Sequence, residues 1–255
     1  MSYMPEQVAD IADIADMPRG GPNASCLDRL LQTDRPEYLD RDDVDDSVKR
    51  GIVATLDRVG ILFREHARNA ELVLREVADV PDPTILELGA GHGALSRILL
   101  EQHPTATVTV SDVNPDSVAA IAASDLGGHP RATVRTIDAT AINVPDGSFD
   151  LAVFALSFHH LPPEQAVRVL AEGARVAERL LVIDLPRPPS LLHLAKLASF
   201  VPFVVWWPFA HDGFVSSLRA YSPAALRALA AHAGLDAQVS SNPFDRQVLM
   251  ARRKG

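Results

Sequence analysis

The sequence predicts an α/β protein with a doubly wound, mostly parallel seven-stranded sheet, an N-terminal helical cap and an apolar lid insertion after the fifth strand. Three observations support this prediction. Strand-like and helix-like patterns alternate from Thr84 to the C-terminal region, the loop behind the first strand is rich in glycine, and several helices begin with clear capping signals. The strand-like runs, in chain order, are TILEL, TVTVSD, TVRTI, DLAVFAL, RLLVID, AQVS and QVLMA.

Three consecutive segments organise the chain, and the third contains a predicted lid. Residues 1–43 are acidic and rich in turn-forming residues, which predicts an irregular segment that becomes ordered when ligand binds. Residues 44–80 carry two successive apolar helical faces with Gly60 between them, which predicts a helical cap. Residues 81–255 form the predicted core, and residues 186–221 within it are predicted to cover the substrate.

The helix boundaries in the core are marked by specific residues. Asn114 followed by Pro115, and Ser222 followed by Pro223, match an N-cap residue followed by a first-turn proline. Gly234 matches the glycine that ends a helix. In open sheets of this kind, ligands bind beyond the carboxyl ends of the strands, so the functional residues are expected just after the strands.

Composition excludes several classes of function. The formal net charge is −9 and no basic stripe is present, so nucleic acid is a poor candidate partner. Cys26 is the one cysteine, which excludes an intramolecular disulfide and fits the reducing cytoplasm. The apolar stretch 197–210 is too short to span a bilayer and contains Pro202 and Pro208, so no transmembrane segment is predicted.

The glycine loop is the strongest functional signal. Alternating Gly89, Gly91 and Gly93 follow a predicted buried strand, and this pattern lets a ligand approach the backbone closely. Taken alone the pattern is ambiguous, because Gly89, Gly91 and Ala94 also match a GxGxxA dinucleotide fingerprint. Asp112 ends the next strand, where a carboxylate can accept hydrogen bonds from ribose hydroxyls. Dinucleotides and other nucleoside cofactors both carry such hydroxyls, so Asp112 does not distinguish between them.

The combination of 87–93 (ELGAGHG), Asp112, Asp138 and the FALSFHHL run after the fourth strand resembles the class I S-adenosylmethionine-dependent methyltransferases of the small-molecule branch. The resemblance covers roughly residues 83–255 and implies a Rossmann-like fold and S-adenosylmethionine as cofactor. It implies that Glu87 and the glycines contact the methionine end, Asp112 the ribose and Asp138 the adenine. The candidate cofactor-binding residues are Glu87, Gly89, Ala90, Gly91, Gly93, Asp112, Val113, Asp138, Ala139 and Ala155.

Two of these carboxylates also have purely structural interpretations. Asp112 could cap the helix that begins at Pro115, and Asp138 could cap a turn in the DATA run.

The segment after the fourth strand indicates the class of acceptor. Residues 155–158 read ALSF, where nucleic-acid and protein amide methyltransferases of this fold usually carry an Asn/Asp-Pro-Pro-aromatic signature. Its absence, together with the acidity of the chain, argues against amino groups of nucleic acid as acceptors. The histidine pair at this position resembles the small-molecule branch, in which metabolites are methylated on oxygen or carbon. A hydrophobic small-molecule acceptor and O-methylation are therefore expected.

His159 and His160 are the first candidates for a catalytic base, because an imidazole can take a proton from a hydroxyl near neutral pH. One of them could instead pack in the core and bond a backbone carbonyl. His211 and Asp212 form a rival acid/base pair, although anchoring of a loop is the favoured role of Asp212. Acids and histidines do not occur at credible ligand spacing, so no metal site is predicted.

Candidate substrate-binding residues follow the fifth strand. Asp184 ends that strand and Arg187 could clamp an anionic substrate group, unless it is an exposed loop arginine without a role. Trp206, Trp207 and Phe214 belong to an unusually dense aromatic stretch. That stretch favours an acceptor pocket wall, with a homodimer or membrane-surface contact as the competing explanation.

Two other functions remain open from sequence alone. A nicotinamide-dependent oxidoreductase would use the same glycine loop and Asp112, but Glu87 and the absence of a Tyr-x-x-x-Lys pair argue against it. A binding module that keeps the cofactor and has lost catalysis is the third reading.

Overall fold

The computed structural model describes residues 14–204 and 207–254. The helices are α1 (Cys26–Leu30), α2 (Asp46–Leu62), α3 (Glu65–Glu76), α4 (Ala94–Gln102), α5 (Pro115–Ala122), α6 (Pro163–Val176), α7 (Ser190–Val204), α8 (Pro208–Arg219) and α9 (Pro223–His232). The strands are β1 (Thr84–Leu88), β2 (Thr107–Asp112), β3 (Ala132–Thr136), β4 (Phe149–Ala155), β5 (Ala177–Asp184), β6 (Leu235–Ser241) and β7 (Gln247–Arg253). Short 3₁₀ turns span Ile14–Asp16, Tyr38–Asp40, Asp125–Gly128 and Phe158–His160.

The strands form one seven-stranded sheet in the order β3-β2-β1-β4-β5-β7-β6. All neighbours pair in parallel except β7, which runs antiparallel between β5 and β6. The predicted fold class is therefore confirmed. The strand order reverses between β1 and β4, and such a switch point opens a crevice at the carboxyl ends of these two strands.

Apolar side chains on both faces of the sheet form the core. In β1, Ile85 faces a cluster that includes residues of α3 and α4, while Leu86 faces the opposite cluster with residues of α6 and α9. Because successive side chains of a strand point to opposite faces, a continuous apolar run is required for a sheet covered on both sides. This packing fixes the position of β1 and β4, and hence of the loops that follow them.

The helical cap consists of α2 and α3, within the predicted range 44–80. Gly60 does not end the first of these helices, because α2 continues through Gly60 to Leu62. The chain turns instead at Arg64, whose φ of 54° lies in the left-handed region. The apolar periodicity is interrupted there, whereas a glycine inside a helix is tolerated when packing supplies the stability.

Two further segments lie over the carboxyl edge of the sheet. Residues 14–41 contain α1 and the turn Tyr38–Asp40, and residues 186–221 contain α7 and α8. Residues 1–13 of the predicted irregular segment lie outside the described residues. Within the described part of the chain, none of the helices has both the length and the apolar character needed to cross a bilayer.

Candidate active site

A cavity of about 840 Å³ opens at the carboxyl ends of β1 and β4, at the switch point of the strand order. Its volume is near the upper end of the range of about 300–1,000 Å³ that is usual for ligand sites. The wall combines the glycine loop, the start of α4, part of α5, the cap and the turn after β4. Its polar residues include Glu37, Asp40, Glu65, His66, Asn69, Glu87, His92, Arg97, Asp116, Ser117, Ser157, His159, His160 and Ser216.

The glycine loop follows β1 directly and forms one end of this cavity. Gly91 has a φ of 59° and space for a ligand beside it, because a β-carbon placed there would meet no atom within 4 Å. Gly93 has a φ of 78° and is also packed, since a β-carbon there would lie 2.5 Å from Leu126. The loop therefore presents bare backbone to the cavity, which fits the close approach of a cofactor.

Asp112 fixes this loop from the end of β2. Its Oδ2 accepts a hydrogen bond of 2.9 Å from the amide of Gly91, and its Oδ1 accepts one of 2.9 Å from the amide of Asn114. Asp112 does not cap α5, because the N-cap side chain is that of Asn114. Each carboxylate oxygen can accept a further hydrogen bond. Val113, next along the chain, is exposed.

Glu87 is buried beneath the loop and lines the cavity. It accepts a short hydrogen bond from the hydroxyl of Ser96. Burial raises its pKa to about 7, with a smaller contribution from Asp112, although Ser96 and Arg97 act in the opposite direction. A buried carboxyl group in this state gains a charge readily when a cation binds beside it.

Asp138 and Ala139 follow β3 and are absent from the cavity wall. Asp138 is exposed, and its Oδ1 accepts hydrogen bonds from both the amide and the hydroxyl of Thr140. It thus caps the turn, which is the structural interpretation considered above, and its contact with adenine stays a prediction. Ala155, at the end of β4, does line the cavity.

His159 lies at the other end of the cavity and is buried. Its Nδ1 lies 2.7 Å from Asp184 Oδ1, and its Nε2 lies 3.5 Å from Glu37 Oε1. Burial by itself lowers the pKa of His159, but the charge and hydrogen bond of Asp184, together with Glu37, raise it to about 9. Asp184 therefore reaches the cavity only through this histidine.

His160 is partly exposed and lies beside His159, with ring centroids 4.4 Å apart. Its Nδ1 lies 3.0 Å from Asp40 Oδ2, and its Nε2 lies 3.8 Å from Glu37 Oε1. Burial acts to raise the pKa of Glu37, but the hydrogen bond with His159 and the charges of both histidines lower it overall. The fold thus joins both histidines to one buried carboxylate.

The rival pair His211 and Asp212 lies on α8 and is absent from the cavity wall. Asp212 accepts hydrogen bonds from the backbone amides of Tyr38, at 2.8 Å, and Leu39, at 3.3 Å. The ring of His211 stacks on Tyr38 with centroids 3.9 Å apart. Both residues therefore hold the turn Tyr38–Asp40, in agreement with the anchoring role favoured for Asp212.

The structure gives Arg187 a role that neither interpretation of the sequence described. Its side chain is not an exposed loop arginine, and its guanidinium is already engaged and not free to clamp an anion. It is 2% exposed and donates hydrogen bonds to the backbone carbonyls of Asp28, Leu31, Leu218 and Ala220. The guanidinium therefore links α1 to the end of α8.

The aromatic residues predicted to form the acceptor pocket wall do not line the main cavity, as far as the structure describes them. Trp207 lines a separate cleft of about 210 Å³ between α2 and α8, and Phe214 is absent from the main cavity wall. Trp206 lies outside the described residues. The apolar part of the wall comes mainly from aliphatic side chains, among them Leu39, Val53, Leu56, Leu156 and Leu185.

Sequence reasoning missed Glu37 and Asp40, which reach the histidine pair from the N-terminal segment. Both belong to the acid-rich run DRPEYLDRDD, where no periodicity or spacing distinguishes a buried carboxylate from an exposed one. The fold also brings one donor atom each from Glu37, His159 and His160 within 4.8 Å of one another. The spacing criterion applied to the sequence could not detect this group, because its members are far apart along the chain.

Comparison with known proteins gives the class of this protein. Residues 85–179 match a family model described as a methyltransferase domain. The chain is 30% identical over 164 residues to a demethylmenaquinone methyltransferase of Thermus thermophilus, covering 59% of this chain and 73% of the relative. It is 31% identical to a malonyl-[acyl-carrier protein] O-methyltransferase of Geobacter sulfurreducens, covering 54% of this chain and 50% of the relative.

Solved structures agree on the fold. Human N-acetylserotonin methyltransferase in complex with S-adenosylmethionine superposes with a TM-score of 0.59 at 20% identity, covering 90% of this chain and 66% of that one. An S-adenosylmethionine-dependent methyltransferase from Aquifex aeolicus gives a TM-score of 0.52 at 20% identity, covering 71% and 88%.

The chain belongs to the class I S-adenosylmethionine-dependent methyltransferases. It is an enzyme that uses S-adenosylmethionine, which sets aside the nicotinamide alternative. The residues of the site fit this cofactor, because Gly91 leaves open space beside bare backbone and the buried carboxyl group of Glu87 is suited to an ammonium group.

Proposed function

We propose that this methyltransferase transfers a methyl group to a hydroxyl oxygen of a hydrophobic small molecule. The observation that carries the proposal is one continuous cavity with the glycine loop at one end and the pair His159–His160 at the other. Methyl transfer requires the methyl donor and the acceptor atom in line, so most of the acceleration comes from holding the two together.

At the cofactor end, we propose that Glu87 and the backbone of the glycine loop hold the methionine part, Asp112 the ribose and Asp138 the adenine. The supporting contacts are the burial of Glu87 and the hydrogen bond from Gly91 to Asp112. When bound there, the cofactor supplies an electrophilic sulfonium methyl group.

At the acceptor end, aliphatic side chains favour an apolar molecule, and the histidine pair offers the polar contacts that orient a hydroxyl group. The hydroxyl passes its proton to His160, which lines the cavity and is partly exposed, because the raised pKa of His159 leaves that ring already protonated near neutral pH. Curated relatives are named for demethylmenaquinone and for malonyl-[acyl-carrier protein] O-methylation, which supports acceptors other than nucleic acid.

We also propose that residues 186–221 cover the acceptor and that residues 14–41 close the cavity beside them. The support is that Glu37, Leu39 and Asp40 belong to its wall while α8 holds their turn. The isolated Cys26 supports a cytoplasmic location. The exposed side chain of Trp207 supports a homodimer contact.

The test uses S-adenosylmethionine with a ¹³C-labelled methyl group and a panel of apolar phenols, quinols and aliphatic alcohols. The panel also contains matched acceptors whose hydroxyl is already methylated. The chemical shift of the transferred methyl distinguishes oxygen from carbon and nitrogen. Labelled product from hydroxyl acceptors only is the expected result. A methyl group on carbon or nitrogen, or turnover of polar acceptors alone, would refute the proposal.

The Asp112→Ala variant checks the cofactor end independently. Loss of a charge-assisted hydrogen bond of about 1.5–3 kcal/mol should weaken S-adenosylhomocysteine binding roughly 10-fold to 150-fold in calorimetry. Asp236→Ala removes an exposed carboxylate of β6 and should leave the affinity unchanged.

A further inference from the structure

We infer that Glu37, His159 and His160 form a binding site for one divalent transition-metal ion at the acceptor end of the cavity. The inference rests on geometry, and its catalytic consequence rests on the proposed function. Two histidines and one carboxylate are a known ligand set for first-row metals such as Fe²⁺ and Zn²⁺.

The distances are close to those of a metal site. Glu37 Oε1 lies 3.5 Å from His159 Nε2 and 3.8 Å from His160 Nε2. In a tetrahedral site with metal–ligand bonds of about 2.0–2.2 Å, two ligand atoms lie roughly 3.3–3.6 Å apart. The three donor atoms all lie within 4.8 Å of one another, and an inward movement of the partly exposed His160 would complete the set.

The partners behind the two histidines support the same inference. His159 Nδ1 faces Asp184 Oδ1 at 2.7 Å, and His160 Nδ1 faces Asp40 Oδ2 at 3.0 Å. A carboxylate on one ring nitrogen fixes the tautomer, so that the other nitrogen presents a lone pair to a metal. Asp184 is itself fixed, because its Oδ1 also accepts a hydrogen bond of 2.8 Å from the amide of Leu185.

The local charge favours a dication. Glu37, Asp40 and Asp184 bring three carboxylates to the two histidines, and Arg219 lies 3.6 Å from Asp40 Oδ2. In the ion-free site His159 is protonated near neutral pH, so three negative charges and the two positive charges of Arg219 and His159 leave a net charge of −1. A divalent ion that takes the place of this proton would balance the carboxylates, because metal binding to histidine releases the proton of the ligating nitrogen.

The three ligand residues all line the cavity, so the ion would have open positions toward the acceptor. A hydroxyl group bound to such an ion has a lowered pKa. Its proton leaves to solvent, and the resulting alkoxide or phenoxide remains on the metal beside the methyl donor. Within the proposed function, the metal therefore replaces the histidines as the agent that activates the acceptor.

The test uses the full chain without a histidine tag, treated with a chelator and then dialysed. Co²⁺ is titrated while its visible absorption is recorded, and Zn²⁺ is titrated by calorimetry. One ion per chain, with ligand-field bands of bound Co²⁺, is the expected result. His160→Ala and Glu37→Gln should each weaken binding at least about 100-fold. Asp40→Asn should weaken it about 10-fold to 100-fold through loss of the outer partner.

His232→Ala is the matched control, because it removes an exposed imidazole at the end of α9 and should bind Co²⁺ as the parent chain does. His160 is partly exposed, so its variant should fold, and circular dichroism checks this. Absence of stoichiometric binding, or unchanged binding in both His160→Ala and Glu37→Gln, would overturn the inference.

Titration of S-adenosylhomocysteine into the same samples separates the two proposals. Cofactor binding without metal binding would refute the metal site alone. Metal binding without transfer to any hydroxyl acceptor would refute O-methylation and leave the metal site standing.

Discussion

The two ends of the cavity are built in different ways. The cofactor end comes mainly from one continuous stretch, in which β1, the glycine loop, α4, β2 and the start of α5 follow each other along 84–117. Asp138 and Ala155 are the proposed contacts outside it. The acceptor end collects Glu37 and Asp40 from the N-terminal segment, the histidine pair after β4, Asp184 from β5 and Ser216 from α8. Only the first of these can be recognised as a motif.

The difference also affects how each end is stabilised. The glycine loop is held by β1 and β2, whose pairing is part of the sheet. The acceptor end depends on a few long-range polar contacts from buried side chains, notably those of Arg19, Arg187, Asp212 and Arg219. Single substitutions should therefore damage the acceptor end while the cofactor end remains intact.

Arg187→Met should give the largest loss of stability. The variant removes a buried cation that donates to four backbone carbonyls and leaves those oxygens without their partner. We expect the free energy of unfolding to fall by about 2–4 kcal/mol in chemical denaturation. Arg135→Met on β3 is the control, because that arginine is exposed and should change stability by less than about 0.5 kcal/mol. Equal effects of the two substitutions would contradict a structural role for Arg187.

Asp212→Ala should weaken the acceptor end of the cavity and leave the cofactor end unchanged. Its carboxylate accepts hydrogen bonds from the backbone amides of Tyr38 and Leu39. Loss of a side-chain cap of this kind typically lowers the stability of the local structure by about 1–2 kcal/mol. We therefore expect limited proteolysis within 14–41 to be roughly 5-fold to 30-fold faster. The affinity for S-adenosylhomocysteine should change little. A loss of cofactor affinity as large as that of Asp112→Ala would show that the two ends are not separable.

Glu87→Gln should give the smallest effect, a change in the pH dependence of S-adenosylhomocysteine binding, and it affects the cofactor end alone. In the unliganded protein the pKa of Glu87 is raised to about 7 by burial, so the carboxyl is mostly protonated at pH 6 and mostly charged at pH 8. If a bound ammonium group requires the charged form, binding releases a proton. Affinity for S-adenosylhomocysteine should then rise by up to about tenfold between pH 6 and pH 8.

Calorimetry in buffers of different ionisation enthalpy measures the proton release directly. Glu87→Gln cannot titrate, so its affinity should lose this component of the pH dependence, while Glu101→Gln on the exposed side of α4 should keep it. Identical pH profiles for the parent chain and Glu87→Gln would exclude a proton transfer at Glu87.

The sequence by itself determined the sheet, the helix starts and the glycine loop behind the first strand. Apolar runs identify buried strands, Asn114 and Ser222 cap helices through contacts with their own neighbours, and the glycine loop needs only local backbone geometry. These features depend on residues that are close in the chain, and their physical requirements are visible in the order of residue types.

Only the tertiary structure decided which polar residues share the acceptor end. It turned Arg187 inward to the carbonyls of α1 and α8, gave His211 and Asp212 an anchoring role, and brought Glu37 to the histidine pair. A carboxylate in an acidic segment has the same sequence appearance whether it is hydrated or buried. Its role depends on burial and on partners more than a hundred residues away, which packing of the whole chain determines.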